Sequence, residues 1–347
     1  MPRWNLFATV VAALCATLAF VWAASAESFT DAAGRKVELP AAINRIMPAG
    51  PPVAVLLYAL APDKMAGWVK QPTDAEKRFL AAPYRDLPVT GRLTGKESSA
   101  DAETVRKLKP DVILDVGTVD AEYAALAERI QKETGVPYIL LDGSLEKTPE
   151  TFRLLGKLLG KDGEAAALAS YADEIVGPIY APQQEPPVAG KRLSIYYGRG
   201  KDGLTTFGSD SINMEIFKAL GFTFIPGGPA PSAMTAEGII RGDPDVIVAL
   251  DPGFADKIAR DPAWLEVTAV STKRVFCSPA LPFGWVESPP GVNRLLGVRW
   301  LRSVVYPSNG GEDLRQVTRD YYKLFYHVDL TDTQLGELLS GCAVNRN

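Results

Sequence analysis

Apolar and polar positions alternate along this chain in a way that separates short buried strands from amphipathic helices. Residues 6–23 form an uncharged apolar run that ends in Ala24-Ser25-Ala26. Beyond it, F-T-D-A-A-G-R-K-V-E-L-P alternates about a D-A-A-G-R turn, the pattern of a small β-hairpin. Four compact apolar runs then read as buried strands: residues 112–116 (VILDV), 138–141 (YILL), 193–197 (LSIYY) and 246–250 (VIVAL). Helix-like stretches, among them residues 121–134 and 212–220, lie between them. Strands that alternate with helices predict α/β units built on parallel sheets.

From Pro149 onward the period changes. Phe152, Leu155, Leu158 and Leu159 recur at helical spacing, as do Leu168, Tyr171 and Ile175. Gly160-Lys161-Asp162-Gly163 is the place where this helix can kink or break, and the proline-rich residues 178–187 mark a stiff boundary after it.

One unit occurs twice. Asp101-Ala102-Glu103 leads through a short helix to Pro110-Asp111-Val112-Ile113, and Thr235-Ala236-Glu237 leads likewise to Pro244-Asp245-Val246-Ile247. Asp101 and Thr235 are helix N-cap residues, and each glutamate falls in the first turn, where the helix dipole favours a carboxylate. Proline stops the helix and Val-Ile enters a buried strand. A spacing of 134 residues between the copies means two similar lobes rather than a solenoid. The expected organisation is a leader over 1–26, an N-terminal α/β lobe over 27–147, a connecting helix over 148–183 and a C-terminal α/β lobe over 184–347.

Composition narrows the function classes. Hydrophobic residues make up 47% and charged residues 22%, so the chain can build packed cores. With 37 basic against 41 acidic residues and no long basic run, nucleic acid is not expected as a partner. The single histidine, His327, excludes three-histidine zinc centres and HExxH metalloenzymes. Arg3 is the only charge before Glu27, which with the apolar run and the A-S-A site reads as a cleavable secretory signal rather than a retained anchor. Cys15 follows the bulky Leu14 and is no lipidation site. Cleavage after Ala26 moves the formal charge from −4 to −5 and leaves Cys277 and Cys342, which in an oxidising compartment either pair or stay as buried thiols.

The leader, the hairpin, the duplicated Glu-x6-Pro-Asp-Val-Ile and the central helix together make the chain resemble a periplasmic substrate-binding protein of an ABC importer. The closest group has a rigid helical backbone and serves iron–siderophores, haem, cobalamin and related metal complexes. The resemblance covers essentially the whole mature chain and rests on the order and spacing of motifs. It implies two similar lobes joined by a single long helical connector, a ligand cleft between them and small hinge motion. It also implies a periplasmic monomer that docks on an inner-membrane ABC permease through one glutamate per lobe, here Glu103 and Glu237. The alternative for each glutamate is simple compensation of a helix dipole.

Ligands of open α/β sheets lie outside the carboxyl ends of the strands. That rule selects Pro51, Trp68, Arg92 and Lys96 in the first lobe, and Tyr196, Arg199, Phe254, Phe283 and Trp285 in the second. Aromatic rings with a few cations suit an anionic, partly planar chelate, and Arg92 and Arg199 can grip its oxygens in pairs. Each arginine can equally be a loop charge and Trp285 a core plug. Of Tyr196 and Tyr197, which alternate faces, at most one points at a ligand.

Other chemistries find less support. Gly198-Arg199-Gly200-Lys201-Asp202-Gly203 matches a dinucleotide fingerprint, but L-T-T-F-G follows where a helix should open and no acid stands at the next strand end. No G-x-S-x-G elbow accompanies His327. A hydrolase using paired carboxylates is the alternative from another class, although no pair stands out. Haem would need a Tyr, a Met or His327 as axial ligand. A molybdate- or tungstate-binding protein of the same fold is the nearer alternative, which P-F-G-W…P-P-G-V-N-R-L-L-G also suits. Such a site would use backbone N–H groups and hydroxyls at helix starts, as around Gly208-Ser209-Asp210-Ser211. The expectation is a non-catalytic carrier of a ferric siderophore, without a covalent cofactor and without direct protein ligands to metal.

Overall fold

The computed structural model describes residues 27–95, 98–181, 192–225, 232–307 and 312–341. The leader, Lys96 and Cys342 lie outside the described residues. Strands β1 (Glu27–Thr30) and β2 (Lys36–Leu39) form the expected antiparallel hairpin. Its turn is held by Asp31, whose carboxylate accepts from the backbone N–H groups of Ala33 and Arg35 and pairs with the Arg35 guanidinium. The same carboxylate accepts from Leu140 N–H, which fastens the hairpin to the first sheet.

That sheet is parallel, in the order β3 (Ile46–Pro48), β4 (Val112–Gly117), β5 (Tyr138–Asp142). Helix α1 (Pro51–Leu60) follows β3, α2 (Ala102–Leu108) precedes β4, and α3 (Ala121–Thr134) connects β4 to β5. Every residue from Val112 to Val116 is buried, Asp115 included, so the apolar character of VILDV reflects a strand covered on both faces.

The connector differs from a single helix. It consists of α4 (Thr148–Leu159) and α5 (Asp162–Tyr180), which pack against each other. Gly160 adopts φ +64°, a left-handed cap that ends α4 and turns the chain back. The absent side chain of Gly156 lets the helices close, because a Cβ there would lie 2.3 Å from the Cβ of Ala165. Helix α5 runs through Pro178 to Tyr180, so the boundary begins later than the prolines suggest.

The second lobe contains β6 (Ser194–Gly198), β7 (Thr205–Thr206), β8 (Thr223–Phe224), β9 (Ser232–Ala233), β10 (Val246–Ala249) and β11 (Val275–Cys277). Its parallel sheet has the order β11-β10-β6-β8, while β7 and β9 form a small antiparallel pair. Helices α6 (Glu215–Ala219), α7 (Ala236–Gly242) and α8 (Pro252–Ile258) belong to this lobe. Helices α9 (Arg294–Val305), α10 (Leu314–Tyr326) and α11 (Asp332–Leu339) complete the chain. The last two cross back to the N-terminal half: Tyr58 Oη donates to the carbonyl of Tyr326, and Arg78 forks onto Glu337. One apolar cluster runs from α1 and β4 through α4 and α5 to β6, α9 and α10, so the lobes share a core.

The duplicated unit is built twice in the same way. Helices α2 and α7 have seven residues each, and their N-caps Asp101 and Thr235 accept from Thr104 N–H and Gly238 N–H. Each ends on a left-handed residue, Lys109 or Asp243, immediately before the proline. The aspartate of each Pro-Asp pair then caps the entry of the neighbouring strand. Asp111 accepts from the N–H groups of Asn44 and Arg45 ahead of β3, and Asp245 from Ser194 N–H and Oγ at the start of β6.

Candidate functional site

The carboxyl ends of the two sheets are brought together by the loop that follows β11. Phe283 in that loop lies 6.0 Å from Trp68 of the first lobe, and Gly291 approaches Pro52 so closely that a Cβ would be 3.4 Å from its carbonyl oxygen. The first-lobe edge is itself tightly built. Leu93 and Thr94 N–H both donate to the Ala49 carbonyl, and Gly143 rests on Gly117.

A buried charge network fixes the junction. Arg294, at the start of α9, is 1% exposed, and its Nη1 donates to Glu215 at 2.7 Å and to the Ile212 carbonyl at 3.1 Å. Its Nη2 crosses to the Gly143 carbonyl at 2.7 Å, and Glu215 in turn accepts from Leu145 N–H and Tyr180 Oη. Burial pulls the Arg294 guanidinium below its ordinary value while the Glu215 carboxylate opposes that shift. A small recess opens beside the network, lined by Pro52, Asp142, Ser144, Thr148, Gly291 and Arg294 among others.

At the edge of the second lobe, Arg199 leaves β6 and turns back to bond Thr205 through backbone groups. Its guanidinium lies 4.1 Å from the centre of the Phe207 ring and forks onto Glu287, with Nη2 to Oε1 at 2.6 Å and Nε to Oε2 at 2.8 Å. Tyr197 Oη donates to the same carboxylate at 2.8 Å, and burial pushes that phenol well above its ordinary range.

The sequence-selected residues divide into three groups. Pro51, Arg92, Arg199 and Phe283 are half-buried, Phe283 against Trp68 and Tyr326. Trp68, Tyr196, Phe254 and Trp285 are corrected to core positions. The Trp68 indole donates to the Tyr84 carbonyl and that of Trp285 meets the Tyr322 hydroxyl. Tyr196 Oη donates to the Gly203 carbonyl. The Phe254 ring fills the space over Gly203, where a Cβ would come within 2.2 Å of it. All four rings are buried, and the polar atoms of Trp68, Tyr196 and Trp285 are satisfied internally. The G-x-G-x-x-G match is explained at the same time: Gly198 and Gly203 make room for Phe254. Lys96 forms the third group, outside the described residues.

Sequence reasoning missed Glu287, Phe207, Glu215 and Arg294 as members of this region. A lone acid inside an aromatic, proline-rich loop was the available signal for Glu287. Glu103 and Glu237 are exposed in the first turns of α2 and α7, and Glu103 pairs with Lys107 at 2.8 Å. Among the described residues no group of three His, Cys, Asp or Glu side chains could hold a metal ion.

A family model described as periplasmic binding protein matches residues 51–280. Among solved structures, an ABC transporter solute-binding protein from Sulfurospirillum deleyianum is 27% identical with a TM-score of 0.79, covering 90% of this chain and 99% of its own. A periplasmic solute-binding protein from Veillonella parvula is 26% identical with a TM-score of 0.71, over 90% and 97% of the two chains. The molybdate periplasmic binding protein MolA of Haemophilus influenzae shares the fold at 21% identity and a TM-score of 0.66, over 88% and 99%. No curated protein matches the chain.

Proposed function

The chain belongs to the periplasmic binding protein family, as a solute-binding component of an ABC transporter, and we propose that the solute it carries is a ferric siderophore. The observation that carries this reading is the Arg199–Phe207 plate at the carboxyl edge of the second sheet. A guanidinium held over an aromatic ring and fixed by a carboxylate offers a rigid surface for stacking and for N–H donation. A planar hydroxamate or catecholate arm of a chelate fits such a surface. Half-buried Arg92 and Phe283 belong to other loops that the same strand-end rule selects.

The rest of the reading follows the family. The apolar start is the export signal, the protein is a monomer without catalytic turnover, and the permease recognises Glu103 and Glu237. Their matched positions on α2 and α7, both exposed, support docking. Cys277 is disulfide-bonded, which supports its pairing with Cys342.

The test is a tryptophan-fluorescence titration with ferric hydroxamate, ferric catecholate, haem, cobalamin, molybdate and tungstate in parallel. Trp68, in ring contact with Phe283, is the expected reporter. Saturation by a ferric chelate is expected, weakened roughly tenfold or more by Arg199→Ala, a change of ~1.4 kcal/mol. Saturation by molybdate alone assigns the protein to oxyanion uptake, and hydrolysis of a probe assigns it to the enzymes.

A further inference from the structure

Glu287 neutralises the one cation that the second lobe presents in the Arg199–Phe207 plate. Its side chain is 5% exposed against 23% for Arg199, so the carboxylate is the buried half of the pair. Three contacts within hydrogen-bond range join the two groups, and the Tyr197 hydroxyl holds Oε2 from behind. The pair cannot rearrange cheaply, because a carboxylate stripped of its guanidinium would be left almost dry. The Phe207 ring lies 4.1 Å from the guanidinium carbon, which restricts its departure further. Among the described residues Nη1 donates to nothing and Nη2 donates only to Glu287, so three of the five guanidinium N–H groups remain at the plate's edge without a matching net charge.

We infer that Glu287 is a specificity-determining residue: by cancelling the Arg199 charge it makes this wall of the site a neutral hydrogen-bond donor, selecting chelates of low net charge over bare oxyanions. This rests on the reading of the plate as part of the ligand wall. The physical basis is asymmetric. A neutral oxygen already bound to iron needs only a directional donor, whereas a doubly charged oxyanion losing its water needs net positive charge in return. With Glu287 ionised nearby, the oxyanion meets an opposing carboxylate instead.

The experiment is calorimetric titration of the wild-type protein and Glu287→Gln with two probes, sodium molybdate and the neutral ferric trihydroxamate ferrichrome. Glutamine keeps the shape and an acceptor for Tyr197 while removing the charge. Molybdate is expected to bind the variant at least tenfold more tightly than it binds the wild type, with a smaller change for ferrichrome. Equal or weaker molybdate binding by the folded variant overturns the inference, as does micromolar molybdate binding by the wild type. Should Glu287→Gln not fold, the wild-type arm decides alone, with micromolar molybdate binding contradicting the inference and its absence supporting it. A gain for molybdate in the variant without ferrichrome binding by either chain sinks the siderophore reading and leaves the role of Glu287 standing.

Discussion

At the scale of single residues, burial explains both what the sequence reveals and what it conceals. Aromatic residues beside Gly and Pro read as loop rings, yet Trp68 and Trp285 are core residues whose indole N–H groups find internal partners. Chain-local signals cannot tell a ring that plugs a junction from one that lines it, because the plug is contributed by segments more than 200 positions apart. Asp115 illustrates the opposite case, a buried acid that reads as a break in the apolar run VILDV. Burial pushes its carboxyl up to about 6, and among the described residues its side-chain hydrogen-bond partner is the Tyr138 hydroxyl at 2.9 Å. The folded chain therefore retains a proton that the unfolded chain releases between about pH 4 and pH 6. Stability falls as pH rises through that window and levels off above it, by about 2–3 kcal/mol in all. Asp115→Asn keeps an acceptor for Tyr138 and removes the ionisation. Urea midpoints of the two proteins should diverge in the variant's favour between pH 4 and pH 7.5, whereas parallel pH profiles would contradict the assignment.

At the scale of elements, the repeat was the most legible feature. N-cap, first-turn glutamate, proline stop and buried strand are all local properties, so they survive reading without a structure. The role of the aspartate after each proline was hidden, because its partners are the first residues of a different strand, about 50 to 70 positions away. Removing such a carboxylate leaves strand-entry N–H groups unpaired. Asp245→Ala is expected to lower stability by about 1–3 kcal/mol, and Asp111→Ala by less because Asp111 is more exposed. Denaturant midpoints check the order, and a larger loss for Asp111→Ala would refute it. The connector shows the limit of periodicity. The apolar spacing predicts helix on both sides of Gly160, but that the two segments fold back on each other depends on the Gly156–Ala165 approach, which no single-helix pattern contains.

At the scale of the molecule, two lobes with separate sheets are tied by a shared core, by α10 and α11 crossing back, and by the Arg294–Glu215 network. The network joins the β5–α4 loop of the first lobe, the end of α5, and α6 and α9 of the second. Glu215→Gln leaves a dry guanidinium short of its counter-charge and should cost roughly 3–5 kcal/mol by denaturant unfolding. A loss under about 1 kcal/mol would show that the junction does not depend on this pair. The permease docking proposed above places one contact on α2 and one on α7, in lobes that these ties join. Transport by Glu103→Lys with Glu237→Lys is accordingly expected to stop while solute affinity stays unchanged, and continued uptake would remove the docking assignment.

The most direct measurement of the central claim is recovery of the bound solute. The protein is loaded with a radio-iron ferric siderophore, separated from free chelate, denatured, and the released species identified by mass and iron count. The account predicts one intact chelate per chain, chemically unchanged. Absence of retained iron, or release of a cleaved ligand, would contradict it.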